Sequence, residues 1–85
     1  MTTSDLIFMM FNDEPIETFA KLLEADNPAL KWGQLLDMCY CERSYEGVGG
    51  DYGDMDNPPI NYERLEYLEK LIAFLEEKGI VAEKP

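Results

Sequence analysis

Leu65, Leu68, Leu71, Ile72 and Leu75 recur at steps of three and four residues, and only a helix brings such a set onto one side. The same spacing sets Ile16, Phe19, Ala20, Leu22 and Leu23 opposite Glu17, Lys21 and Glu24. It also gathers Leu30, Trp32, Leu35, Leu36, Met38 and Cys39 into a broad stripe. A fourth apolar stretch, Leu6 to Phe11, is unbroken and too short for periodicity to separate helix from buried strand. No other stretch reads as a good strand to pair with it, so it too is assigned as helix. The expected fold is all-α: a small four-helix bundle with a long Gly/Tyr/Asp-rich loop between helices three and four.

Boundary residues sharpen this reading. Ser4 is the expected cap of a first helix from Ser4 to Phe11, with Asp5 in the first turn, where a carboxylate suits the helix dipole. Asp13 is the expected cap of the second, and Pro15 fits a first turn that has no use for its missing N–H. The third repeats this device with Asn27 and Pro28 and fades near Glu42. Gly33 interrupts it at a cost of about 1 kcal/mol relative to alanine, or admits a close neighbour. For the fourth, Asn61 is the cap, Ile60 and Leu65 form a hydrophobic staple, and Glu66 pairs with Lys70 at i,i+4. Gly79 ends it, and Ile80 folds back on Leu75 in a Schellman-type closure. The loop covers residues 43–59, any β content would be a small hairpin within 43–57, and residues 81–85 form a frayed tail. The predicted core is Phe8, Phe19, Leu22, Leu23, Trp32, Leu35, Leu36, Leu68, Ile72 and Leu75.

With 85 residues the chain is read as a single domain, residues 1–85, burying about 60–65% of its unfolded surface. Its 18 acids against 7 bases, with no histidine, give a net charge of −11. Such a charge repels phosphate backbones and anionic lipid heads, so direct binding to nucleic acid or a membrane surface is not expected. Residues 1–41 hold 7 acids and 2 bases, whereas 42–69 hold 8 acids and only Arg43 and Arg64. Cys39 and Cys41 stand two positions apart, pointing to different sides of a helix, so no disulfide scaffold is expected. The apolar run of residues 6–11 falls far short of the ~20 residues a membrane span needs, and Asp5 stands where a signal peptide would carry a base. The expected location is the cytoplasm.

Catalysis is poorly served. Without histidine the commonest general base is missing, Ser4 and Ser44 have no such partner, and acids this abundant form pairs by chance. No enzyme activity, catalytic residue or cofactor is assigned. Cys39 and Cys41 with Asp37 or Glu42 lack the two spaced pairs of a structural zinc site, and buried thiols are the simpler reading. Asp51, Asp54, Asp56 and Asn57 cluster, but an EF-hand count from Asp54 puts Pro58, Pro59 and Leu65 where ligands or glycine must stand. Gly47-Val48-Gly49-Gly50 is followed by Asp51, which would repel a phosphate. No metal site is assigned.

What remains is aromatic and acidic. All five tyrosines, Tyr40, Tyr45, Tyr52, Tyr62 and Tyr67, fall in the same stretch as the densest acids. Tyrosine offers large contact area at small entropic cost, neighbouring glycines let a loop adapt, and carboxylates accept paired hydrogen bonds from arginine. Glu63, Glu66 and Glu69 extend the row along the last helix at about 4.5 Å per step. Carboxylates would stand in for phosphates and tyrosines for stacked bases. The plainer account is a solvated acidic face with tyrosines covering the core. In size and charge the chain resembles the small acidic inhibitors that phages use against restriction or CRISPR nucleases, a likeness of composition that covers no alignable stretch.

The resulting expectation is a non-enzymatic interaction module, an inhibitor of DNA-mimic type that occupies a basic site of a nucleic-acid-binding protein. The residues expected to meet the partner are Tyr45, Glu46, Asp51, Tyr52, Asp54, Asp56, Glu63 and Glu66. The alternative is a structural or assembly subunit acting through an apolar homo- or hetero-oligomer interface, a homodimer among them, joined through the Leu6–Phe11 run. A third is a metal-dependent or redox module using Cys39 and Cys41.

Overall fold

A computed structural model describes residues 1–25, 28–48 and 62–84. These form four helices, α1 (Thr3–Phe11), α2 (Ile16–Glu24), α3 (Trp32–Val48) and α4 (Tyr62–Glu77), with no strand among the described residues. The all-α class is therefore observed. α3 packs along α4, α1 lies against α3, and α2 against α4. One apolar cluster draws on every helix: Leu6 and Met10 of α1, Phe19 of α2, Leu35, Leu36 and Cys39 of α3, and Leu68, Leu71, Ile72 and Leu75 of α4, joined by Leu30.

The ends of the helices depart from expectation in instructive ways. α1 is capped by Thr2, not Ser4: the Asp5 carboxylate accepts the Thr2 N–H at 2.7 Å and the Thr2 hydroxyl at 3.2 Å. A hydroxyl residue followed three positions later by a carboxylate is the spacing of a capping box, and Ser4 lacks that partner. Asp13 does not cap α2. It takes φ = 56°, the left-handed turn conformation that aspartate tolerates better than most residues, and Pro15 immediately precedes the helix. Pro28 is not helical either; Leu30 enters the core, the Thr3 hydroxyl accepts the Lys31 N–H at 2.9 Å, and α3 starts only at Trp32. The expected caps Asn27 and Asn61 and the staple residue Ile60 lie outside the described residues.

α3 does not fade near Glu42 but continues to Val48. No proline interrupts 42–48, and Gly47 is its one weak helix former. Residues 43–48 of the expected loop are therefore helical, and its remainder, 49–59, lies outside the described residues. The end of α4 is as expected. Gly79 adopts φ = 82°, its N–H meets the Glu76 carbonyl at 3.0 Å, and the Ile80 N–H reaches the Leu75 carbonyl at 3.0 Å.

Beyond that closure, residues 81–84 do not behave as the frayed end expected of them. The Glu83 N–H donates to the Gly33 carbonyl at 2.9 Å, and Ala82 packs on the core. A Cβ on Gly33 would stand 2.6 Å from the Val81 carbonyl oxygen. Gly33 thus admits a backbone strap across the start of α3, and α3 and α4 run antiparallel, since the strap follows the end of α4. Of the predicted core, Phe19, Leu35, Leu36, Leu68, Ile72 and Leu75 are buried, and Leu22, Leu23 and Trp32 partly so. Phe8 is 68% exposed: α1 turns Leu6 and Met10 inward, which carries Phe8 to the opposite side.

Candidate functional site

The surface proposed from sequence is described in part. Tyr45 stands on the last turns of α3 and is 70% exposed. Glu46 is within the same helix. Asp51, Tyr52, Asp54 and Asp56 lie outside the described residues. Glu63 and Glu66 are exposed on α4. Glu66 pairs with Lys70 at 3.2 Å, with both side chains about two-thirds in solvent, so water and salt screen that pair heavily.

The tyrosines divide. Tyr62 is 71% exposed at the start of α4. Tyr40 and Tyr67 pack against the core and are not free contact groups. The Tyr67 hydroxyl donates to the Glu14 carbonyl at 2.6 Å, and burial together with the nearby Asp13 carboxylate pushes its pKa well above the ordinary phenol range. Tyr40 is also shifted upward, by desolvation and by the Glu76 carboxylate.

Both arginines of the acidic stretch are drawn into the fold. Arg64, whose side chain is 10% exposed, donates to the Met10 carbonyl at 2.7 Å, touches the Met10 sulfur at 3.2 Å and pairs with Asp13. Its guanidinium lies 5.7 Å from the Phe11 ring centre and 5.6 Å from that of Tyr67, within cation–π reach of each. Arg43 lies 5.2 Å from the Tyr40 ring centre. The Arg64 knot fastens the end of α1 and the following turn to the first turns of α4. In doing so it removes cationic charge from the surface that carries Glu63 and Glu66.

Sequence reasoning missed two parts of this region. Arg64 was counted only as a charge; its spacing of four from Leu68 and seven from Leu71, which aligns it with the buried stripe, was the available signal. Phe8 and Phe11, 68% and 48% exposed, form an aromatic pair on the outer side of α1. Only the identity of the inward pair, Leu6 and Met10, reveals that side, and a fully apolar run conceals it.

Cys39 is buried and its thiol is pushed up to about 12 by desolvation, while Cys41 is exposed; both are free. Among the described residues no three Cys, Asp or Glu side chains converge as metal ligands, and no helix is long and apolar enough to cross a membrane. Set against protein-family models, curated proteins and solved structures, the chain matches none of them.

Proposed function

We propose that this chain is a non-enzymatic interaction module: a small four-helix bundle whose acidic, tyrosine-bearing side occupies a basic site of a nucleic-acid-binding protein and blocks it. The observation that carries the reading is the fate of the cations. In residues 42–69, 8 acids face 2 bases, and both bases are taken up by aromatic rings or core contacts. Exposed Tyr45, Glu63 and Glu66, the last paired with Lys70 in solvent, flank in sequence an acidic stretch that includes Glu46, Asp51, Tyr52, Asp54 and Asp56. Carboxylates replace phosphates, tyrosine rings replace bases, and inhibition follows from occupancy alone. This is the manner of the phage anti-restriction and anti-CRISPR inhibitors that the composition resembles. The two free cysteines suit a reducing, cytoplasmic setting.

Affinity capture from the lysate of the cell in which the protein acts, at low and high ionic strength, tests this. Nucleic-acid-binding proteins should be retained at low salt, released at high salt, and lost when Asp51, Asp54 and Asp56 are all changed to Lys. Retention indifferent to both changes rules out the electrostatic mechanism. A second reading, an assembly subunit joined through an apolar face, is favoured by the exposure of Phe8 and Phe11. Sedimentation over a dilution series tests it, and a monomer at every concentration counts against self-assembly.

A further inference from the structure

We infer that Phe8 and Phe11 are the apolar anchor of this same interface, and that the surface they enter is an apolar cleft rimmed by lysine and arginine. The inference rests on the proposed electrostatic reading and adds to it a second contact element with its own chemistry.

Phe8 and Phe11 are three residues apart on α1 and so share a side, with Asp5 one further step along it. Both rings lie outside the buried core. Together they offer about 200 Å² of exposed ring, whereas a stable interface needs about 800 Å² from each partner. The pair is thus too small to hold two copies together alone, and a second copy would bring its own charge of −11. As an anchor inside a larger contact its size is sufficient, because buried aromatic residues near the centre of an interface dominate its energetics.

Charge selects the occupant. The first 20 residues contain Asp5, Asp13, Glu14 and Glu17 and no lysine or arginine. Just past the Phe11 end of α1 stand Asp13, already paired with Arg64, and Glu14. Lys31, whose N–H meets Thr3, is at the other end of the helix. The Arg64 knot ties the Phe11 end to α4, so Glu63 in the first turn of α4 belongs to the same region as the rings. An apolar pair framed by carboxylates matches a cationic surface with an apolar centre.

The test uses the full-length protein and three synthetic helical peptides of equal length: leucine on one face with lysine on the other, lysine with glutamine, and leucine with glutamine. The leucine/lysine peptide should bind at least about tenfold more tightly than either of the others. Phe8→Ser/Phe11→Ser should reduce its affinity by about tenfold or more and leave the lysine/glutamine peptide unaffected. Phe8→Ser alone, altering the more exposed ring, should give part of that loss with an unchanged thermal melt. Equal leucine/lysine affinity for the wild type and the double variant overturns the anchor. Equal affinity of the wild type for the leucine/lysine and leucine/glutamine peptides overturns the cationic rim. Concentration-dependent dimerisation of the wild type that the double variant abolishes also overturns it, by giving the rings to a second copy. The electrostatic reading fails separately, if D51K/D54K/D56K leaves the affinity of both lysine peptides unchanged.

Discussion

Arg64 shows how a single side chain can join distant parts of a short chain. A guanidinium is never neutral at working pH, so one that is 10% exposed needs acceptors, and Met10 and Asp13 supply them. Replacing it with methionine keeps the stem but removes the charged donor from the Asp13 carboxylate and from the Met10 carbonyl, which keeps the Asp13 N–H at 3.2 Å. Arg64→Met should lower stability by about 2 kcal/mol, the scale of a charge-assisted hydrogen bond, in a denaturant titration. At the other end of α1, the carboxyl of Asp5 is held below the usual carboxylate value by the Thr2 N–H, with smaller help from the Thr2 hydroxyl and the terminal amine. A depressed folded pKa contributes stability that is complete above the unfolded value, about 4, and is lost as pH falls through the folded value. Asp5→Asn should therefore melt below the wild type at neutral pH, with the gap closing on acidification below about pH 4.

Among the elements, α4 was the most legible, and the reason is physical. Its apolar stripe, its glycine stop and the return of Ile80 all act within a few residues of one another, so local chemistry decides the outcome. Where tertiary contact decides, sequence reading failed. Pro28 looks like a first-turn proline until Thr3, 28 positions from Lys31, takes up the Lys31 N–H. Phe8 looks like core until α1 chooses which side to bury, a choice set by α3 rather than by α1 itself. Tyr40 and Tyr67, grouped by sequence with the other tyrosines though not among the expected contacts, pack on the core. Of the candidate surface, the exposure of Glu63 and Glu66 was readable because polar residues on the outer side of a helix need no distant partner, whereas Tyr45, expected in the loop, stands exposed on α3. The strap over Gly33 was half visible as a glycine that admits a neighbour. Gly33→Ala should gain helix propensity yet drive a methyl to within 2.6 Å of the Val81 carbonyl oxygen, so the strap must lift. Global stability should change little, while the Glu83 amide loses hydrogen-exchange protection; retained protection would mean that the strap accommodates a side chain.

At the scale of the whole molecule, apolar packing and surface charge do separate work. Residues from all four helices make one core, and among the described residues no charged residue is buried in it; the chain carries 18 acids against 7 bases. Self-repulsion from that excess costs stability while keeping the chain soluble. A cationic partner turns the same excess into attraction, and long-range attraction raises the association rate most at low salt. Blocking, as opposed to mere binding, demands that the chain and nucleic acid compete for one site. The direct measurement is a titration of a captured nucleic-acid-binding partner, preloaded with a fluorescent duplex, with this chain. Stoichiometric release of the duplex, weakened by added salt, is the predicted result. A stable complex holding partner, duplex and this chain together would contradict it.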